Sequence, residues 1–510
     1  MASRVKRLLF LVHRWMGIVL CFFFSIWFVS GVVMMYVGYP KLTSAERLAR
    51  LPLLSAAEIR ISPKQAVRAA GLSVPPKEIR LSVVGGRAAY IVTPDGKGTP
   101  AGGGRPRPLA VTADEGRLLT NVDPALARSS AAAYFPGMGS NYVALLREDT
   151  WTHSRALDPH RPLHLVEMED PDRTWLYVSS STGEVVRDAS RTERVWGYVG
   201  AWLHFLYFFR DTAVDAYWSD IIIWLSLAGA LLVLVGSVVG VQRWRFANRY
   251  GNGSRSPYRN RMMRWHHVSG LVFALVVFTW VFSGLMSMNP WKIFESRAPQ
   301  PRLQAYAGGA LNAAEYHVNP ADIVAAQATG AAAKELRFVR VAGESYVQAL
   351  DGEGRITLFD AQASQPKRVA IDRSELQRAV ARLSPAGIRQ ITEIHGYDAY
   401  YYARAPHTML GSAERPLPVW RIEFDDAQST WMHVDPATGT MLGRLDELQR
   451  AKRWLFAFLH SWDWLPLLDR RPLWDVLLII LSFGGAALSF TGVVIGWRRL
   501  QRVRWVDRHE

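Results

Sequence analysis

The chain has 510 residues, 49% of them hydrophobic and 20% charged, with a mean hydropathy of +0.01 and one cysteine; 60 Lys and Arg against 44 Asp and Glu give a net charge of +16. A single cysteine excludes a disulfide-stapled domain and any CxxC or CxxCH chemistry. The near-zero hydropathy averages very apolar runs with ordinary polar sequence, which excludes a uniformly soluble composition.

The first apolar run, residues 8–36, begins around His13-Arg14-Trp15-Met16-Gly17 and continues without charge through Cys21, Phe22, Phe23 and Phe24 to Ser30-Gly31. As a helix, the 18 residues from His13 to Gly31 rise about 27 Å, close to the thickness of a bilayer's hydrocarbon core. No small-residue cleavage site follows a short apolar core, so the run is expected to be a retained signal anchor with His13 near one edge. Pro40 closes it.

A polar region of ordinary domain size, 41–194, follows. Ser62-Pro63 marks a helix start, with Ser at the N-cap and Pro at the first helical position. Strands at 79–84 and 88–92 are expected to flank a Gly85-Gly86 turn, and 100–107 reads as a loop. His153, His160 and His164 form a His-x6-His-x3-His series beside Asp149 and Asp158. The spacing matches no zinc signature, which favours surface-loop residues over a metal or ferric-substrate site. The apolar segment 195–210 carries Trp196, Trp202 and His204, and Asp211, Asp215 and Asp220 set it off from the next span. It is expected to lie at the membrane interface as a short helix. The second span, 219–242, runs into Arg243-Trp244-Arg245, and the link 243–264 also holds Arg249, Arg255, Arg259, Arg261 and Arg264.

The pattern then starts again. His266-His267-Val268-Ser269-Gly270 opens a third span, 265–288, in which Gly284 follows His266 by the same 18 residues. In the second polar region, 292–450, Asn319-Pro320 starts a helix, strands are expected at 336–341 and 345–350 around Gly343, and 411–417 reads as a loop. His395, His407 and His433 lie among Tyr397, Tyr400, Tyr401 and Tyr402, a candidate aromatic binding surface. The segment 452–468, with Trp454, Trp462, Trp464 and His460, is a second interfacial helix; a fourth span, 474–497, and a tail, 498–510, with Arg498, Arg499, Arg502 and Arg504 follow. At a constant offset of 256, His204 corresponds to His460, Trp218 to Trp474, Gly236 to Gly492, Gly240 to Gly496, and TWLYVSSSTG from Thr174 to TWMHVDPATG from Thr430. Repetition over this length reads as an internal duplication. The expected fold is therefore membrane α-helical: four transmembrane helices from a duplication, with two α+β insertions. Three basic clusters, formed by Lys6, Arg7 and Arg14, by the arginine link and by the tail, are cytoplasmic under the positive-inside rule, which places both polar regions outside. Each cluster abuts an apolar span with no soluble recognition fold, so nucleic acid is not an expected partner; the lipid bilayer is.

Four histidines sit at membrane segments in duplicate positions, where an ionisable group is costly and points to function. Imidazole is a common axial ligand of haem. Two repeats of the same topology have their pseudo-twofold axis along the membrane normal, so His13 is expected to face His266 at the cytoplasmic edge and His204 to face His460 at the outer edge. His13 and His204 are nearly a bilayer apart and cannot share a metal. His267 lies about 100° around the helix from His266 and stands as an alternative ligand. The competing reading, four interfacial histidines bonded to carbonyls or headgroups, does not account for the matched depths. Met34, Met35, Met286 and Met288 near the outer ends read as adaptable packing. No GxGxxG, P-loop, Ser/His/Asp or HExxH arrangement supports a flavin, nucleotide or hydrolase reading.

The HRWMG start, the Leu-His pairs at 203–204 and 459–460, Thr491-Gly492-Val493 with Trp497-Arg498-Arg499, and the WMHVDPATG stretch resemble the PepSY-associated transmembrane family. This bacterial inner-membrane group includes di-haem siderophore reductases and iron-regulated proteins, and the resemblance covers nearly the whole chain. It implies PepSY-like periplasmic units and two b-type haems in the four-helix core, with His13, His266, His204 and His460 as axial ligands. It also implies an oxidoreductase that reduces a periplasmic ferric complex, expected to be a ferric siderophore, with electrons from the cytoplasmic side. Ser179 and Ser180 stand where the second copy has Asp435 and Pro436, so the first unit is expected to be degenerate. The cytoplasmic segments are too short for a flavin or nicotinamide domain, which leaves the electron donor unidentified. The alternative function is a binding or protease-regulating module with the helices as scaffold.

Overall fold

The structure, a computed structural model, describes residues 2–96, 106–327, 332–409, 411 and 413–506, with the side chains of 2, 3 and 502–506 left out. The loop expected at 100–107 lies mostly outside the described residues, and that at 411–417 lies outside at 412.

Four helices are long and apolar enough to cross a membrane: α1 (Ala2–Met34), α2 (Trp218–Arg243), α3 (Arg261–Ser287) and α4 (Leu473–Val506). Large apolar side chains such as Phe22, Leu275, Phe483 and Phe490 point away from the protein, the pattern of helices solvated by lipid. Each of α1 and α3 packs on both α2 and α4, so α1 and α3 face each other across the bundle. Leu20, Phe24 and Phe28 meet Val277 and Val281 at its centre. Small residues bring the backbones close, as in many membrane bundles: Gly240 receives Leu271, and Gly496 receives Ile18. Four passes put the start of α1, the α2–α3 link and the end of α4 on one face, here the terminal side. Both large polar regions lie on the other, the domain side.

The first polar region supplies β1 (Pro76–Val84), β2 (Arg87–Pro94), β3 (Leu109–Thr112), β4 (Ser140–Leu146), β5 (Leu163–Met168), β6 (Trp175–Ser179) and β7 (Val185–Ala189). The second supplies β8 (Glu335–Val341), β9 (Glu344–Leu350), β10 (Ile356–Asp360), β11 (Ile388–Ile394), β12 (Val419–Phe424), β13 (Trp431–Val434) and β14 (Met441–Leu445). Ser62 caps the helix Pro63–Ala69 in a capping box with Gln65, and Asn319 precedes the helix Pro320–Gln327. β4 to β7 and β11 to β14 each form a four-stranded antiparallel sheet in chain order.

The other six strands form one sheet, in the order β10-β9-β8-β1-β2-β3. The two α+β insertions are thus joined edge to edge through β1 and β8. The pairing is two-fold in register: Arg80 lies opposite Arg337, flanked by Ile79 with Phe338 and Leu81 with Leu336, and both strands carry Glu-x-Arg at this point. Like charges directly opposite are unfavourable. Here buried carboxylates offset them: Glu335 reaches Arg47 at 2.7 Å, Arg337 at 2.8 Å and Arg80 at 3.4 Å, while Glu184 takes Arg80 in two bonds of 2.5 and 2.7 Å. Burial raises the pKa of Glu335, but Arg47, Arg80 and Arg337 outweigh it and hold the carboxyl at about 2.

The turn that carries Ser179 and Ser180 is hydrogen-bonded like its counterpart at Asp435 and Pro436. Gly183 donates its N–H to Ser179 O and Gly439 to Asp435 O, both at 2.8 Å. Ser179 Oγ accepts from the amides of Ser181 and Thr182, as Asp435 Oδ1 accepts from that of Ala437. Gly183 and Gly439 close the turns at φ of +75° and +66°, a conformation that favours glycine.

Candidate functional site

The bundle brings the four histidines together in two pairs. His13 on α1 and His266 on α3 have ring centroids 6.2 Å apart; those of His204 and His460 are 6.1 Å apart. His204 and His460 stand on short helical segments ahead of α2 and α4, not on the spans. Each follows a π-helical turn, Tyr198–Trp202 or Arg453–Phe458, and the chain reverses two residues later at left-handed Leu206 (φ 51°) or Trp462 (φ 48°). The expected continuous interfacial helices are therefore broken, and the break turns each ring into the bundle. Non-glycine residues in this conformation are strained and persist only where neighbours fix them. Here Trp218 Nε1 donates to Phe205 O at 2.8 Å and Trp474 Nε1 to Ser461 O at 3.0 Å, which gives the two matched tryptophans of the sequence a role.

Hydrogen bonds set the tautomers. Ser30 Oγ donates its proton to Ile26 O at 2.7 Å, so it accepts from His204 Nδ1–H at 3.0 Å. Ser283 Oγ donates to Trp280 O and accepts from His460 Nδ1–H at 3.0 Å. His266 Nδ1 lies 3.2 Å from Leu488 O, which can only accept, and 3.1 Å from Thr491 Oγ1. In these three neutral imidazoles Nδ1 holds the proton, and the Nε2 lone pair is free for a metal. His13 Nδ1 is buried and has no hydroxyl partner; the Leu232 backbone carbonyl lies beside its ring.

His267 is engaged at both nitrogens. Nε2–H donates to Gly240 O at 2.8 Å, Nδ1 pairs with Ser256 Oγ at 2.8 Å, and the rings of Trp244 and Tyr258 meet it edge-on. It anchors the α2–α3 link, and only His266 faces His13.

Two imidazoles on opposite sides of one metal ion, with metal–nitrogen bonds of about 2.0 Å and about 1.2 Å from nitrogen to ring centre, have centroids about 6.4 Å apart. Both pairs fit a bridging metal by this measure. A cavity of about 720 Å³ adjoins His13 and His266, and one of about 210 Å³ adjoins His204 and His460. The first is within the range of about 300–1,000 Å³ usual for cofactor sites. The second is smaller, but Met34, Met35, Met288 and Met409 in its walls are side chains that repack readily. Phe24 lines both cavities.

Each ring also lies against a glycine. An added Cβ would meet His204 Cε1 at 3.8 Å from Gly31, His460 Cε1 at 3.8 Å from Gly284, His13 Cε1 at 2.6 Å from Gly236, and His266 Cε1 at 3.4 Å from Gly492. The glycine spacing that marks the repeat in the sequence thus marks ring-sized gaps between helices.

The other candidate residues do not converge. No group of three or more His, Cys, Asp or Glu residues suited to a metal occurs among the described residues. His153 pairs with Glu148 at 2.5 Å, His160 with Ser179 at 3.0 Å and His164 with Tyr142 at 3.2 Å, each separately. Nor is His164 a surface-loop residue, since it is buried on β5. The expected aromatic surface is partly core: Tyr401 is buried and stacks on buried His433 at 4.9 Å. Burial, then Arg421 and Arg415, push His433 down to about 3, so it is neutral. Met34, Met35 and Met288 line the smaller cavity, and Met286 packs in the apolar cluster of Leu285 and Phe456.

Fold and site together define a multi-pass membrane protein whose four-helix bundle carries a histidine pair at each end and sheet domains on one side. Residues 10–352, more than half of the chain, match the family described as the PepSY-associated TM region, and the chain belongs to that family. No curated protein matches it.

Proposed function

We propose that this protein is an inner-membrane electron conduit, arisen by internal duplication, with cytoplasmic termini and periplasmic sheet domains. In this reading it holds one b-type haem between His13 and His266 and another between His204 and His460, and reduces a periplasmic ferric complex, a ferric siderophore by the family resemblance. The observation that carries it is the pair of ring separations, 6.2 and 6.1 Å, together with hydrogen bonds that leave Nε2 of His204, His266 and His460 free. Haem held there supplies reversible one-electron transfer. The chain's part is to fix the ligands: Ser30, Ser283, Thr491 and the Leu488 carbonyl hold the rings, and the glycines leave them room. Apolar burial around Phe24, Phe28 and Val281 keeps water from the space between the sites.

A pyridine haemochrome assay on protein expressed with ample haem supply is expected to give about two non-covalent haems per chain. Dithionite-reduced protein is expected to reoxidise when mixed with a ferric siderophore. Absence of haem would overturn the conduit and favour the binding or protease-regulating scaffold. Haem without reoxidation by any ferric chelate would leave the conduit and overturn the acceptor.

A further inference from the structure

Residues 395–409, between β11 and β12, leave their sheet and run onto the bundle over the His204–His460 pair. His407 Nε2 donates to Met35 O at 2.9 Å, Lys41 Nζ to Thr408 O at 2.5 Å, Trp454 Nε1 to the Tyr400 hydroxyl at 2.9 Å, and the Tyr402 hydroxyl to Asp463 Oδ2 at 3.0 Å. Thus pinned, this strap puts Arg404, Thr408 and Met409 into the wall of the smaller cavity. The segment between β4 and β5, at the corresponding place in the first half, contributes no residue to that wall.

Arg404 is the one fully charged side chain lining this cavity among the described residues. Its side chain is only 11% exposed, and its guanidinium lies 5.3 Å from the centre of Trp474, whose indole holds the carbonyl next to His460. Its carboxylate neighbour is Asp463, at 3.4 Å. Arg453 shares that neighbourhood: it donates to the Asp463 backbone carbonyl and keeps Nη1 buried without a partner. Two guanidiniums therefore face one buried carboxylate, an excess of one positive charge against an apolar wall. Such an excess is costly unless an anion completes it. The other cavity has Arg14, Arg243, Arg498 and Arg499 in its lining, ample for a dicarboxylate ligand.

We infer that Arg404 is the counter-cation for a carboxylate of the cofactor held by His204 and His460, which makes the strap of the second sheet domain part of that cofactor site. The inference rests on the proposed function and extends it. A guanidinium suits a carboxylate through parallel N–H donors, and in a dry wall the pair is worth more than on a surface. The strap then ties the domain and the cofactor energetically: what displaces one loosens the other.

The test titrates haem-loaded protein spectroelectrochemically, with the His13–His266 component as internal control for folding. Reduction removes one positive charge from the iron, so loss of a nearby cation disfavours the reduced form. Arg404→Gln is expected to lower the midpoint potential of the His204–His460 component and reduce its occupancy, and Arg404→Lys to restore the potential. In a second arm, apo-protein is reconstituted with haem or with its dimethyl ester: the wild type is expected to favour haem at this site, and Arg404→Gln to lose the preference. Unchanged potential and occupancy in Arg404→Gln, or equal uptake of the ester by the wild type, would overturn the inference. So would an unchanged potential with slowed reoxidation by a ferric chelate, which would assign Arg404 to the substrate. A wild type without haem would fail the proposed function itself, a result distinct from these.

Discussion

The two histidine pairs have nearly the same ring separation and are built differently. At the domain side the supports repeat: Ser30 holds His204 and Ser283 holds His460, both at 3.0 Å, with Gly31 and Gly284 equally spaced behind the rings. At the terminal side they repeat only in part: His266 has Thr491 and the Leu488 carbonyl, while His13 has the corresponding Leu232 carbonyl beside its ring but no hydroxyl at Nδ1. The reason is local sequence. Ser30-Gly31 recurs as Ser283-Gly284, but Thr491 corresponds to Val235, which has no hydroxyl. Space is divided the other way, about 720 Å³ with four arginines at the terminal side against about 210 Å³ and one arginine at the domain side. A repeated frame can thus give two sites of unlike affinity and potential when the residues around the ligands differ.

The largest expected effect separates the pairs outright. His13→Ala and His266→Ala should each abolish the same absorption component and leave the second, while His204→Ala and His460→Ala should abolish the second and leave the first. Reduced-minus-oxidised spectra of the four variants check this. Loss of one shared component on replacing His13 and His204 would break the comparison.

Next come the glycines. Gly236→Ala puts a methyl 2.6 Å from His13 Cε1, closer than real contacts allow, whereas Gly31→Ala puts one 3.8 Å from His204 Cε1, ordinary van der Waals contact. The first should cost most of the terminal-side component and the second little of the domain-side one. Haem content after purification is the readout, and equal losses would mean that the helices adjust more freely than the packing implies.

Much of this frame was legible in the chain. Eighteen residues of helix separate His13 from Gly31 and His266 from Gly284, so depth follows from helical rise, and a shared topology dictates which rings face. The features with no local sequence signal depend on contacts distant in sequence. Nothing near Arg80 predicts that it lies opposite Arg337, since strand pairing between two regions leaves no local periodicity. Arg404 lies in a loop rich in Tyr and Ala, and its place in the cavity wall comes from bonds to Met35, Lys41 and Asp463 elsewhere. Likewise the π-turns before His204 and His460 fall in apolar runs that read as plain helix. The Trp218–Trp474 match was visible, but the carbonyls that these rings hold were not.

A smaller effect is expected from the ring supports. Ser30→Ala or Ser283→Ala removes the hydroxyl that accepts from Nδ1–H of a domain-side histidine at 3.0 Å, and supports of this kind are worth about 10–100-fold in metal affinity. Thr491→Val should cost less, because the Leu488 carbonyl remains 3.2 Å from His266 Nδ1. Rates of haem loss to an excess of apo-acceptor protein rank the three. If Thr491→Val proved the most damaging, the repeated serines would not explain the difference between the ends.

The smallest spectral effect is expected at His267, the immediate neighbour of a proposed ligand. Its Nε2–H is committed to the Gly240 carbonyl and its Nδ1 to Ser256, and Trp244 and Tyr258 box the ring in against the α2–α3 link. To ligate a metal it would have to give up the Gly240 bond and leave a buried carbonyl unpaired, a loss of about 1–3 kcal/mol. His266, by contrast, has its Nδ1 engaged and its Nε2 without a hydrogen bond, with its ring centre 6.2 Å from that of His13. Replacing His267 with Ala should therefore leave both absorption components unchanged and appear instead as a lower unfolding temperature, for the same two lost hydrogen bonds. If His267→Ala removed the terminal-side component while His266→Ala spared it, the two adjacent histidines would exchange roles. The ring facing His13 would then have to be reached by turning α3 through about 100°, which the fit of Leu271 against Gly240 opposes.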